Sequence, residues 1–282
     1  MVAGSSPAGG STRRGGVTQV EFKVIGSDKV SAVGLGTWAI RDYGKAYEAY
    51  LYALSSGVNN VDTAEMYDGG KAEEFVGKLV KAVGRDNVFI TTKMLPDRLV
   101  DKDLIIKAAR AALRRLGVNY VDLYLIHWPN TSISIEEQVR NFEIVAKEGL
   151  TRYIGVSNFD LTELKRAINA LSRERIVVNQ VHYSVLHKGE VEEALLPFCR
   201  ANNIAIQAYM PLERGAVATH PVIQKIASKY GRTPVQVALN YLISQDNVIP
   251  IPKAEKIEHV KEIMGSMGWR MGSEDLEELK RI

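Results

Sequence analysis

Short apolar runs alternate with longer amphipathic segments from residue 19 to the end of the chain. Residues 18–30, TQVEFKVIGSDKV, predict a β-hairpin, because Gly26, Ser27 and Asp28 supply turn chemistry between two runs. The apolar runs that follow are short and rich in valine and isoleucine, as is typical of buried strands. Eight strands are predicted in this way, at residues 30–38, 58–64, 87–94, 121–128, 152–159, 176–183, 204–212 and 247–253.

Helical patterns occupy the segments between these runs. Asp160 with Glu163 three residues on is a capping-box pattern, and Thr233 followed by Pro234 is a second helix start. Strands that alternate with helices predict a parallel sheet covered on its faces. The predicted helices span residues 45–57, 101–117, 160–171, 232–243 and 273–282.

Eight strand–helix units after a hairpin favour the α/β class and a closed (β/α)8 TIM barrel over an open sheet. We therefore predict an N-terminal β-hairpin, the barrel, and an additional C-terminal helix at residues 273–282. Residues 19–282 show no change of composition that would mark a second domain. Residues 1–18 are small, polar and rich in glycine, and we expect them to be a disordered leader.

Composition narrows the function classes. An apolar content of 46% is ordinary for a globular protein, and a net charge of +3 argues against nucleic acids or membrane surfaces as partners. No apolar run approaches the roughly 18 residues of a membrane helix, and no secretory signal is recognisable, so we expect a cytoplasmic protein. Cys199 is the only cysteine, and the five histidines lack metal-ligand spacing, so no metal site is predicted. His182 and His187 are interpreted as loop or surface residues.

Polar side chains follow seven of the predicted strands, at or just past the strand end. Each has an ordinary structural interpretation alone, as a cap, a solvated side chain or a core histidine. In a parallel barrel, however, all strands end on the same face, where active sites of this fold are built. Their convergence therefore predicts one pocket, lined by Asp62, Lys93, His127, Ser157, Asn158, Gln180, Tyr209 and Lys253.

Three of these residues, Asp62, Lys93 and His127, form a coherent acid–base set with Tyr67. Tyr67 follows Asp62 by five positions, and a free phenol with a pKa of about 10 is a poor acid at neutral pH. An ammonium at Lys93 lowers that pKa, and Asp62 supplies the counter-charge that keeps the ammonium protonated. His127 can donate a hydrogen bond to a carbonyl oxygen. Such a set can protonate an oxygen while another agent attacks the adjoining carbon.

The chain resembles the aldo-keto reductase family over essentially all of residues 19–282. Eight motifs carry the resemblance and occur in the family's order: GLGTW (34–38), NVDTAEMY (60–67), TTK (91–93), LIHWP (125–129), IGVSNF (154–159), VNQVHY (178–183), AYMPLERG (208–215) and IPKA (251–254). The resemblance implies an NADP-dependent oxidoreductase that moves a hydride from nicotinamide to an aldehyde, ketone or sugar, reversibly and without metal. It also implies a monomer.

The family's functional residues map onto individual positions of this sequence. The resemblance implies a catalytic tetrad of Asp62, Tyr67, Lys93 and His127, in which Tyr67 is the general acid in reduction and the base in oxidation. His127 is the implied contact to the substrate carbonyl. Trp38 and Trp128 are predicted as apolar substrate contacts, and a rim aromatic that covers the barrel edge is the alternative for either tryptophan. The implied cofactor positions are Gly36, Thr37, Asp62, Ser157, Asn158, Gln180, Tyr209, Leu212, Lys253 and His259.

Two departures from the family pattern bear on specificity. Ala254, His259 and Ile263 stand where the family commonly has a serine and an arginine for the 2′-phosphate and an asparagine for adenine. We predict NADPH as the preferred cofactor, with NADH also usable. The segments 129–134 and 213–221 are short, which predicts an open substrate site.

Two other interpretations remain open from the sequence. GLGTWA (34–39) matches the dinucleotide fingerprint G-x-G-x-x-A, but residues 41–44 precede the helix that this fingerprint requires directly. The second alternative is a cofactor-binding regulatory or sensor subunit on the same fold, with little turnover.

Overall fold

A computed structural model describes residues 19–282, so the leader predicted for residues 1–18 lies outside the described part. The described chain begins with the predicted antiparallel hairpin, in which β1 (Phe22–Ile25) pairs with β2 (Asp28–Ser31). Gly26 in the turn has a φ of 61°, in the left-handed region that glycine adopts without strain. The hairpin covers the amino-terminal end of the barrel.

The next eight strands form one sheet whose spatial order follows the sequence, with every neighbouring pair parallel. Backbone N–H groups of Gly34 and Gly36 donate to the carbonyl oxygens of Pro250 and Pro252 at 2.9 Å each, which joins the first strand to the last. The predicted (β/α)8 barrel is confirmed. Its strands are β3 (Leu35–Gly36), β4 (Asn60–Asp62), β5 (Phe89–Met94), β6 (Val121–Ile126), β7 (Thr151–Ser157), β8 (Ile176–His182), β9 (Ala205–Tyr209) and β10 (Val248–Pro250).

Barrel closure depends on a glycine. A Cβ atom on Gly36 would lie 2.6 Å from the carbonyl oxygen of Ile251, closer than any side chain tolerates. The first residue of the cofactor set predicted from the sequence is therefore required by backbone packing as well.

Helices surround the barrel and pack apolar faces against it. The predicted capping box of Asp160 with Glu163 is present, and the predicted helix start at Thr233 also forms a capping box, with Gln236. Within residues 19–282, no helix has the length and apolarity needed to cross a bilayer. The helices are α1 (Tyr43–Ser55), α2 (Lys71–Val83), α3 (Lys102–Leu116), α4 (Ile135–Phe142), α5 (Ile144–Lys147), α6 (Leu161–Ala170), α7 (Leu196–Ala201), α8 (Pro221–Tyr230), α9 (Pro234–Ile243), α10 (Ile257–Met264) and the predicted C-terminal α11 (Ser273–Lys280).

The first predicted barrel strand, residues 30–38, is divided in the structure. Val30 and Ser31 belong to the hairpin, and only Leu35–Gly36 pairs with β4. Ser31 causes the break, because its hydroxyl donates to the carbonyl of Val33 and its backbone N–H donates to the side chain of Asn59. These bonds turn the chain from the hairpin into the barrel.

Lys23 on β1 secures the hairpin to the barrel. Its ammonium donates to the carbonyl oxygens of Ile243 at 2.7 Å and Val248 at 2.8 Å, and also to that of Gln245. Lys23→Met should lower the free energy of unfolding by about 2–4 kcal/mol, since three carbonyls would lose their donor. Urea denaturation measures this. Lys29→Met, at an exposed position of the same hairpin, is the matched control, and an equal loss in both variants would contradict the assigned role.

Candidate active site

Lys93 lies at the centre of a buried polar cluster at the carboxyl end of the barrel strands. Its side chain is 1% exposed, and Nζ donates to Asp62 Oδ1 at 2.6 Å, to the carbonyl oxygen of Thr63 at 2.8 Å and to Tyr67 Oη at 3.0 Å. An ammonium has three protons, and these three acceptors use all of them. Tyr67 accepts from Lys93, so the proton of its own hydroxyl points elsewhere and is available for donation.

A tight turn after β4 brings Tyr67 back over the barrel. Tyr67 begins a short 3-10 turn (Tyr67–Gly70) in which Asp68, Gly69 and Gly70 all have positive φ. The Tyr67 ring then faces the His127 ring edge-on at a centroid distance of 5.7 Å. The structure thus brings together all four residues of the tetrad predicted from the sequence.

Burial and the Lys93 charge act on Tyr67 in opposite directions. Burial raises the pKa of Tyr67, while the neighbouring ammonium lowers it, and the net pKa lies above the ordinary value of the phenol. The lowering of the Tyr67 pKa that the sequence predicted is therefore outweighed by the effect of burial. Lys93 itself stays protonated, because Asp62 and Tyr67 more than offset the effect of burial on the pKa of its ammonium. At neutral pH the phenol keeps its proton, as a general acid must.

His127 follows β6 and is neutral in the folded protein. Burial and the Lys93 charge lower the pKa of its imidazole to about 3. Its Nδ1 atom is buried and has no hydrogen-bond partner within the described residues. A neutral ring with its proton on Nε2 can donate one hydrogen bond toward the barrel mouth.

The low pKa of His127 predicts a pH-dependent stability. The unfolded imidazole takes up a proton below pH 6.5, whereas the folded one does so only near pH 3. Stability should therefore fall as pH drops from 6.5, by about 2 kcal/mol at pH 5, and His127→Gln should lack this loss. Urea unfolding of both proteins at pH 7 and pH 5 measures it. The same pH dependence in both would show that His127 titrates normally when folded.

Gln180 extends the cluster across the barrel interior. Its Nε2 atom donates to Asp62 Oδ2 at 2.8 Å and to Gln207 Oε1 at 2.9 Å. An ionised carboxylate can only accept, so the amide nitrogen must face Asp62 and Oε1 must face away. Gln207 was not predicted from the sequence, where its only signal is an amide within the buried run of β9.

Three of the predicted cofactor residues, Ser157, Asn158 and Tyr209, are linked by hydrogen bonds at the ends of β7 and β9. Tyr209 Oη donates to Asn158 Oδ1 at 2.8 Å, and Asn158 Nδ2 donates to the carbonyl oxygen of His127 at 3.0 Å and to Ser157 Oγ at 3.2 Å. These bonds fix the Tyr209 ring at the rim, half-buried and with a face available for stacking.

His182 supports the other side of Tyr209. The two rings are stacked 5.6 Å apart at 15°, and His182 Nε2 lies 2.7 Å from Glu213 Oε1. The sequence-based interpretation of His182 as a loop or surface residue is wrong, because His182 ends β8 directly beside the site. His187 stacks on His182 from outside, at 3.8 Å.

The other predicted cofactor residues are spread around the rim. Thr37 donates its hydroxyl to the carbonyl oxygen of Asp62 at 3.0 Å, and Leu212 is half-buried after β9. Lys253 follows β10 and pairs with Glu255, while His259 is exposed on α10. Ile263, where the family commonly has an adenine-contacting asparagine, is 3% exposed and packs into the core.

Two tryptophans stand at the barrel mouth, as the sequence predicted. Trp38 is 49% exposed and Trp128 is 36% exposed, and the Trp128 ring lies 4.7 Å from the His127 ring. The guanidinium of Arg214 lies 5.8 Å above the Trp38 ring. These aromatic faces offer apolar contacts next to the polar cluster.

Backbone strain concentrates at the same face. Seven non-glycine residues of the described chain have positive φ, and all but Asn203 lie in loops that leave the carboxyl ends of strands. Such conformations persist where the surrounding structure enforces them, often at functional sites. The six residues at this face are Ala39, Asp68, Asn158, Met210, Glu213 and Arg214.

Known proteins are similar to this chain in fold and in sequence. A methylglyoxal reductase (YeaE) of Escherichia coli strain K12 is 32% identical over 267 residues, covering 92% of this chain and 93% of the relative. The structure of the thermostable aldo-keto reductase Tm1743 in complex with the inhibitor epalrestat is 36% identical, with a TM-score of 0.86 and coverage of 93% and 99%. An aldo-keto reductase from Klebsiella pneumoniae in complex with NADPH is 32% identical, with a TM-score of 0.86 and coverage of 93% and 95%.

The sequence model of the aldo/keto reductase family matches residues 32–282, which contain the whole barrel and every residue of the cluster around Lys93. The resemblance inferred from the eight motifs is thereby confirmed. The chain belongs to the aldo/keto reductase family.

Proposed function

We propose that this protein is an NADPH-dependent carbonyl reductase that reduces small aldehydes and ketones with Tyr67 as the general acid. The observation that carries the proposal is the Lys93 ammonium, which contacts the Asp62 carboxylate and the Tyr67 phenol near the exposed rings of Trp38 and Trp128. The methylglyoxal reductase and the NADPH complex among its relatives support the same class of reaction and cofactor.

The residues at the rim fit a nicotinamide cofactor. Gln180 Oε1 is turned away from Asp62 and can accept from a carboxamide N–H, while Ser157 and Asn158 offer further polar atoms beside it. The Tyr209 ring, held between Asn158 and His182, provides a flat surface for the nicotinamide ring. Lys253 is the proposed cation for the 2′-phosphate. Gly36, Thr37, Leu212 and His259 complete the proposed contacts.

In this proposal the bound cofactor supplies the hydride, and the protein handles the proton. Tyr67 donates its proton to the carbonyl oxygen, and the phenolate that remains is stabilised by the Lys93 ammonium 3.0 Å away. His127 donates a hydrogen bond to the same oxygen and so sets the direction of the carbonyl. Asp62 keeps Lys93 protonated throughout. In alcohol oxidation the roles reverse, and Tyr67 accepts the proton.

The mouth suggests small carbonyl compounds as substrates. Trp38 and Trp128 would contact the group attached to the carbonyl carbon, and the short loops at residues 129–134 and 213–221 leave the site open. Methylglyoxal, the substrate named for the E. coli relative, is the first compound to test. Sugars, a monomeric state and a cytoplasmic location remain predictions from the sequence.

Binding and turnover together test the proposal. Titration with NADPH should quench protein fluorescence, and the complex should oxidise NADPH when methylglyoxal or a panel of aldehydes and ketones is added. Quenching without turnover on any compound would favour the cofactor-binding sensor function instead. A protein that binds neither NADPH nor NADH would contradict both functions.

A further inference from the structure

Lys253, the proposed partner of the 2′-phosphate, is already paired with a carboxylate. Its Nζ atom donates to Glu255 Oε1 at 2.6 Å and to the carbonyl oxygen of Ala39 at 3.2 Å. Glu255 comes two residues later in the chain, in the loop between β10 and α10. The positive charge of Lys253 is therefore largely neutralised before any ligand arrives.

Backbone amides hold the Glu255 carboxylate in place. Oε1 also accepts from the N–H of Arg41 at 3.2 Å, and Oε2 accepts from the N–H of Asp42 at 3.1 Å. Burial tends to raise the pKa of Glu255, but the bonds from Lys253 and from these two amides outweigh it and hold the pKa below its ordinary value. Glu255 is thus a fixed negative charge between the loop after β3 and the loop after β10.

The negative charge of Glu255 should affect the binding of NADPH and of NADH differently. A 2′-phosphate carries nearly two negative charges at neutral pH, and its attraction to Lys253 is offset by repulsion from Glu255. A 2′-hydroxyl is a neutral donor, and a carboxylate near it accepts a hydrogen bond, as acidic residues do in NAD-binding sites. The buried methyl of Ala254 and the core position of Ile263 add no polar group that would restore phosphate binding.

We infer that Glu255 is a cofactor-specificity residue, which weakens binding of the 2′-phosphate of NADPH and allows NADH to compete at the same site. The inference rests on the proposed function, because it places the adenosine ribose beside Lys253. The inference explains the predicted use of both NADPH and NADH by the charge of the Glu255 carboxylate.

Equilibrium dissociation constants of NADPH and NADH, from fluorescence quenching, test the role of Glu255. Glu255→Gln should tighten NADPH binding by about tenfold and should leave NADH unchanged or weaker. Glu278→Gln, which removes the same charge from the surface pair with Lys225, is the matched control and should change neither constant. An equal change for both cofactors in Glu255→Gln, or weaker NADPH binding, would overturn the inference.

Two further measurements separate this inference from the proposed function. Lys253→Met should weaken the binding of NADPH by about tenfold, with little effect on the binding of NADH. An equal loss of affinity for both cofactors would instead reject the proposed position of the ribose. A wild-type protein that binds neither dinucleotide would reject the proposed function itself, and the inference with it.

Phosphorus NMR of bound NADPH tests the same charge without any variant. Beside an unopposed lysine, the second pKa of the 2′-phosphate should fall below its usual value of about 6. With Glu255 adjacent, we expect no such fall in the wild-type complex. A pKa lowered by about one unit or more in that complex would show that Glu255 does not act on the phosphate.

Discussion

Tyr67→Phe is expected to lower kcat for aldehyde reduction by about a thousandfold, because the proton donor is removed while the rest of the cluster is kept. Lys93 retains its bonds to Asp62 and to the carbonyl of Thr63, so the protein should fold normally. Steady-state oxidation of NADPH with methylglyoxal measures the effect.

Cofactor affinity provides the internal comparison for this variant. The proposed contacts of the nicotinamide are made by residues other than Tyr67, so the dissociation constant of NADPH should change by less than about twofold. Tyr52→Phe, at an exposed tyrosine of α1, is the matched control and should keep full activity. Near-normal turnover in Tyr67→Phe would show that another group donates the proton.

Lys93→Met should have the second large effect, on stability and activity together. It leaves the buried Asp62 carboxylate without its ammonium, and breaking a buried pair from one side costs about 3–5 kcal/mol. The double variant Asp62→Asn with Lys93→Met removes both charges and should recover most of that stability. Neither protein should reduce aldehydes at a measurable rate, because the Tyr67 phenolate would lose its stabilising cation.

Chemical denaturation and activity assays of wild type, Lys93→Met and the double variant check this expectation. Lys225→Met, which breaks the exposed pair with Glu278, should barely change the unfolding midpoint. If Lys93→Met were as stable as wild type, Asp62 would be protonated in the folded protein, and the charge arrangement around Tyr67 would be different from the one described here.

The barrel and the centre of the site could be predicted because both follow from local sequence. Near-continuous valine and isoleucine runs mark parallel strands, and a polar residue at the end of such a run must face the common mouth. Asp62, Lys93 and His127 are all of this kind. Tyr67 joins the acid–base set by its spacing from Asp62, but its position over the mouth depends on the turn after β4, in which its backbone N–H donates to the carbonyl oxygen of Ala64 at 3.1 Å.

The remaining site residues depend on contacts that sequence patterns do not encode. Gln207 meets Gln180 only because neighbouring strands align these two positions in the barrel interior. Glu255 acts on Lys253 because amides from residues 41 and 42 hold its carboxylate, more than 200 positions earlier in the chain. His182 is interpreted from the sequence as a loop or surface residue, and only the folded structure shows its ring stacked on Tyr209.

The pKa of Tyr67 was also predicted in the wrong direction from the sequence. A tyrosine beside a lysine predicts a lowered pKa, and the burial that reverses this net effect is visible only once the barrel is closed around both side chains. The structure thereby changes the expected role of Lys93. It limits the rise in the pKa of the phenol and stabilises the phenolate formed during reduction.

Reduction of methylglyoxal with NADPH in which both hydrogens at C4 of the nicotinamide are replaced by deuterium tests the central proposal most directly. We predict that mass spectrometry and NMR will find one deuterium on the former carbonyl carbon of the wild-type product, and that Tyr67→Phe will form this labelled product about a thousandfold more slowly. A product without that deuterium, or no product from a protein that binds NADPH, would contradict a direct carbonyl reduction at this site.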